Sequence, residues 1–337
     1  MIDPLDGLTQ RARELSRAGA WRDVLRLLEK ALPANGDAGE LELLYAESLL
    51  RVGRDREACE RLRGVVSAMS DRGDRATHRR ALNLLGAAAF ALGELDEASA
   101  VFTTALELAS QHEDYLLLAR ATNNLGMIAN LRGEHDQALG HYRLAVPTYQ
   151  RIGQRRGVAE SYHNIAITYR DIGALEEADE FEVRAIDYAA DGVAPRVAAM
   201  GMIGRAEIAL RRGDPQFAHG TSERAAAELE RLDDLLNEAD AHRLAGTAAS
   251  AMGRYADGEA AFERALSIAR ERGYALVEAE TLRDRAKSLV ARRLYVAARR
   301  DAESAMKVFM RLGAASEVAE LRRIIPGKPT SESLPYS

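Results

Sequence analysis

Asparagine and arginine side chains, which can grip a polypeptide backbone or a carboxylate, recur along this chain at intervals of forty residues. Asn83 and Asn123 are one such pair, and His163 continues their series. Asn124 and Asn164 form a second series one position later, and Arg80 and Arg120 a third, three positions earlier. Asn130 and Arg170 share an adjoining register, and Met127 and Ile167 lie one helical turn along from the asparagines. An amide carries donors and an acceptor, so a ladder of asparagines can pair with an extended backbone whatever its side chains. A guanidinium takes a carboxylate bidentately. Met127 and Ile167 would supply apolar pockets.

Other chemistries leave no such signature. There is no HExxH, no GxSxG, no GxxxxGK[ST] and no GxGxxG after a strand. His135 and His141 are six apart, a spacing that does not share a helical face. Glu134, His135 and Asp136 read as the acidic start of a helix, and Glu176 and Glu177 as another. Cys59 is the only cysteine, so no intramolecular disulfide is possible, and it reads as a buried small apolar residue. We therefore expect no enzyme, no cofactor and no metal. A net charge of −6 argues against general affinity for a nucleic-acid backbone. No apolar run approaches bilayer-spanning length, and MIDPLDGLTQ lacks the apolar core of a secretory signal, so a cytoplasmic location off the membrane is expected.

The elements that carry these residues follow from a repeat. Gly53, Gly93, Gly133, Gly173, Gly213 and Gly253 are spaced by forty. Seven residues before each stands a small residue: Ala46, Gly86, Gly126, Ala166, Ala206 and Gly246. Five after each comes Ala58, Ala98, Ala138, Ala178, Ala218 or Gly258. Apolar residues between the rungs recur at helical spacing, as in Phe102, Leu106 and Ala109. Each unit is therefore a helical hairpin turning at its rung glycine, and the small columns mark where two helices cross closely. Gly126, unfavourable within a helix, exchanges propensity for packing.

A small residue, a turn glycine and two alanines with an aromatic between them, here Phe102, Tyr142 or Phe262, resemble the tetratricopeptide repeat. The usual 34-residue spacing appears once, from Gly19 to Gly53; the 40-residue units resemble the long-helix repeats of kinesin light chain, Pins-type adaptors and Rap-type bacterial peptide sensors. The resemblance implies an all-α, right-handed superhelical solenoid of about eight hairpins in one array, residues 1–325. A first repeat at about 5–34 would be followed by seven long ones to about 314 and a capping helix at 315–324, with a disordered tail at 326–337. Arg205 and Arg285 replace the apolar residues of their column, Arg293 replaces the last rung glycine, and Glu182, Ser222 and Ala302 replace the aromatic. Pro147 should bend its helix.

In such a stack the first helix of each hairpin faces a concave groove, and related proteins hold a peptide there. The polar candidates concentrate in units two to four: Arg80, Asn83, Arg120, Asn123, Asn124, Asn130, His163, Asn164 and Arg170, with Met127 and Ile167. Asn124 and Asn164 match the family's ligand-binding asparagine column. The expected role is a non-catalytic interaction scaffold, monomeric, whose protein or peptide partner carries acidic side chains or a free carboxylate. The alternatives are a ligand- or peptide-responsive regulatory sensor and a self-assembling structural protein, the latter opposed by a polar closing helix.

Overall fold

A computed structural model describes residues 4–32, 39–72 and 75–324, which form seventeen α-helices and, among those residues, no strand. The expected tail at 326–337 lies outside the described residues. Packing divides the chain within α9 into two compact units, one ending at Asn164 and the other beginning at Ile165.

The first unit holds α1 (Pro4–Arg17), α2 (Trp21–Glu29), α3 (Glu40–Arg51), α4 (Asp55–Arg72), α5 (Arg75–Ala91), α6 (Leu95–Gln111), α7 (Tyr115–Leu131), α8 (His135–Arg151) and the start of α9 (Arg155–Ile172). The second holds the rest of α9, then α10 (Leu175–Ala189), α11 (Pro195–Arg211), α12 (Pro215–Arg231), α13 (Leu235–Ala251), α14 (Tyr255–Arg272), α15 (Ala275–Ala291), α16 (Tyr295–Arg311) and the closing α17 (Ala315–Ile324). The order is that of eight hairpins and a cap, an all-α tetratricopeptide-type array. Pro195 and Pro215 open their helices, where a missing N–H is harmless. Pro147 sits four residues from the end of α8, which the structure carries unbroken to Arg151.

Each rung glycine from Gly53 to Gly253 holds φ between 75° and 90°, which ends one helix and starts the next within three residues. Arg293 adopts the same left-handed conformation, φ 60°, where a side chain is strained. Within each unit, successive first helices touch: α3 meets α5 and α5 meets α7, just as α11 meets α13 and α13 meets α15. Successive second helices (α4, α6 and α8; α12, α14 and α16) do not touch, among the described residues. Each unit therefore curves with its first helices on the inner side.

The small column has a specific partner. A Cβ on Gly126 would lie 2.6 Å from the Tyr142 ring, one on Gly86 the same distance from Phe102, and one on Gly246 2.8 Å from Phe262. All three rings are buried. Where the aromatic is replaced by Glu182, Ser222 or Ala302, the column holds Ala166, Ala206 or Ala286. Glycine appears where a ring must seat on the backbone, and alanine suffices elsewhere.

Candidate functional site

In the first unit, α5, α7 and the start of α9 present the asparagine series on their inner side. Asn123 is only 7% exposed, and its Oδ1 accepts hydrogen bonds from Ser161 Oγ at 2.9 Å and from Asn164 Nδ2 at 3.3 Å. Its Nδ2 donates to Met127 Sδ at 3.8 Å, a weak sulfur contact. The amide thus ties α7 to α9. Ser161 was discernible as a hydroxyl in a column that reads Ala81 and Ala121 in the two preceding first helices.

One repeat earlier the arrangement is unfinished. The residue forty before Ser161 is Ala121, which has no donor, and the buried Oδ1 of Asn83 has no hydrogen-bond partner. An acceptor left so is unfavourable by about 1–3 kcal/mol. On α7, which α5 touches, Asn124 is half-buried, and Arg120 is exposed one turn away. Arg120 also lies near the buried hydroxyl of Tyr149, whose pKa is pushed up by burial and by Glu160 and only partly offset by Arg120. His163 is buried, at 8% exposed, and is not a surface ligand.

Other expected groove residues have partners within the fold. Arg80 is ion-paired with Glu47. Asn130 Oδ1 lies 3.0 Å from His135 Nδ1, bridging the turn between α7 and α8. In the second unit, Arg170 donates to Glu207 Oε2 at 2.8 Å, and Ile167 is half-buried. Asn83 lies on α5, and Asn124 and Arg120 lie one turn apart on α7, the helix that α5 touches.

The inner side of the second unit is ionic. Arg243, 9% exposed, donates to Asp284 Oδ2 at 2.6 Å and to Asp240 Oδ1 at 2.8 Å, and Arg283 donates to Asp284 Oδ1 at 2.9 Å. Burial opposes charge on Arg243, but Asp240 and Asp284 outweigh it and raise its pKa; burial likewise opposes charge on Asp284, which Arg243 and Arg283 hold below its ordinary value. Burial pushes the neighbouring Glu280 up. Arg205 and Arg285, misfits in an apolar column, are paired with Asp179 at 2.6 Å and Asp301 at 2.7 Å. These groups answer one another, and none awaits a ligand.

In the first unit, Cys59, Glu94 and Glu97 bring possible ligand atoms within 4.8 Å of one another. Arg63 already fills that space, donating to Glu97 at 2.8 Å and Glu94 at 2.9 Å, and burial raises the thiol pKa of Cys59. The trio is an ion-pair cluster rather than a metal centre. Among the described residues, no helix is long and apolar enough to cross a membrane.

Comparison with known proteins agrees with this architecture. Family profiles described as tetratricopeptide repeat match residues 80–112 and 117–191. The chain carries tetratricopeptide repeats within these residues, in a fold of that type. A Rap protein crystallised in complex with Competence and Sporulation Factor is similar at 15% identity, with a TM-score of 0.62 over 95% of this chain and 96% of that one. The apo quorum sensor NprR from B. thuringiensis is similar at 14% identity, with a TM-score of 0.60 over 95% and 97%. At these identities the likeness is one of fold. The curated protein FLUORESCENT IN BLUE LIGHT, chloroplastic, of Arabidopsis thaliana is 30% identical over 88 residues, which are 26% of this chain and only 28% of that protein's length.

Proposed function

We propose that this protein is a non-catalytic interaction scaffold that captures an extended peptide segment of a partner along the inner side of α5 and α7. The observation that carries this reading is the orphaned, buried Oδ1 of Asn83 on α5, with Asn124 and Arg120 on the contacting helix α7. A peptide N–H would satisfy the oxygen, Asn124 offers the donors and acceptor that pair with a backbone, and Arg120 suits an acidic side chain or terminal carboxylate. Asn123 shows the alternative, the same amide closed from within by Ser161. The fold-level likeness to a Rap conjugation gene regulator crystallised in complex with the Phr* peptide supports a peptide partner.

Selection from a displayed peptide library, followed by affinity measurement, tests the reading. Ala121→Ser places a hydroxyl where Ser161 stands one repeat later, closing Asn83 while leaving every proposed contact residue in place. It should weaken the selected peptide about tenfold, as should Asn83→Ala, since one hydrogen bond to a buried acceptor is worth about 1–3 kcal/mol. Unchanged affinity in both variants would contradict the reading. A second reading, a peptide-responsive sensor, is favoured by the full-length fold likeness to the quorum sensor NprR. It requires that the selected peptide change the radius of gyration in small-angle scattering.

A further inference from the structure

On α13, the face adjoining Arg243 looks outward toward α12 and α14 and carries Glu238 and His242, one helical turn apart. Glu238 is 8% exposed, and its Oε2 is buried without a hydrogen-bond donor. Its Oε1 lies 3.8 Å from His242 Nε2, too far for a hydrogen bond and suited to two ligands of one ion. On α12, which packs against α13, His219 and Glu223 repeat the spacing, with Nε2 and Oε1 3.6 Å apart and His219 Nδ1 buried and unpartnered.

The charges facing the pair come from α12, α14 and the α12–α13 turn. Glu223 and Glu230 of α12 and Arg264 of α14 act on His242, while Glu230 and the turn residue Asp233 act on Glu238. Three carboxylates against one arginine surround a buried carboxylate that nothing satisfies. A neutral imidazole and a carboxylate on successive turns of one helix are ligands for a borderline divalent ion.

We propose that Glu238 and His242 bind a divalent transition-metal ion of the zinc class, with the exposed Glu223 swinging across from α12 as third ligand. The ion would satisfy Glu238, offset the acidic surround and pin α12 to α13. It stands apart from the peptide reading, since all its ligands lie in the second unit on the outward side.

The test uses the full chain without a histidine tag, stripped with chelator. Zinc is titrated by calorimetry, and cobalt by visible absorption to report the coordination. We expect one equivalent per chain, with Glu238→Gln and His242→Ala each weakening uptake by at least about tenfold. Cys59→Ser should leave uptake unchanged, and circular dichroism would establish that each variant is folded. No saturable uptake, uptake indifferent to both ligand variants, or uptake abolished by Cys59→Ser would overturn the proposal.

Discussion

The inner helices of the two units solve one packing problem with different chemistry. In the first unit the positions facing inward carry Asn83, Asn123 and Asn124; in the second the matching registers carry Ile203, Arg243, Arg283 and Asp284. Neutral amides can be left open, as Asn83 is, at modest cost. A buried guanidinium cannot, so Arg243 is bound from two sides by Asp240 and Asp284. On our proposal the open amide of Asn83 receives a ligand, whereas the ion-pair ladder is committed to its own fold.

The strongest way to break this comparison is to unpair the ionic side. Asp284→Ala leaves Arg243 and Arg283 facing a buried void and should destabilise the protein by about 3–5 kcal/mol in urea denaturation. Gly126→Ala should follow: its methyl would meet the Tyr142 ring, for a loss of about 1–3 kcal/mol, while Ala166→Gly, with no ring above it, should lose only about 1 kcal/mol. Asn123→Ala, which removes the acceptor for Ser161 and Asn164, should lose about 1 kcal/mol, far less than Asp284→Ala. Arg293→Gly should stabilise by about 1 kcal/mol by relieving the left-handed backbone, read as a rise in melting temperature.

Acidity sharpens the comparison by a smaller amount. Burial lowers the pKa of His78 and His141 in the first unit and of His242 in the second below the ordinary 6.5. The unfolded chain therefore takes up protons first as the pH drops through 6.5, and stability falls over that range. His141→Gln and His242→Gln should each flatten the dependence of melting temperature on pH between about 5.5 and about 7.5.

Much of the architecture was legible because glycine and alanine columns report backbone geometry directly. The rung glycines marked the hairpin turns from Gly53 to Gly253, Arg293 standing at the last, and the run from Ala315 to Ile324 marked the closing helix. What escaped was which side chain required each glycine: Phe102, Tyr142 and Phe262 stand sixteen residues later, and only the packing shows their rings lying on the backbone. The site was readable as a set of residue types, not as a set of bonds. Composition could not distinguish Asn83 from Asn123, because the difference lies in Ala121 and Ser161 on the neighbouring helices. Arg80 and Arg170 looked available from their columns, yet Glu47 and Glu207, thirty-three and thirty-seven residues away, are their partners. The Glu238–His242 pair was passed over because its surroundings come from α12, α14 and the α12–α13 turn.

Hydrogen–deuterium exchange with a bound, library-selected peptide tests the central claim most directly, because it reads the amides of every helix at once. The account predicts added protection in α5 and α7, around Asn83, Arg120 and Asn124, with the rates of α13 and α15 unchanged. Protection confined to α13 and α15, or to the outer helices α6 and α8, would contradict it.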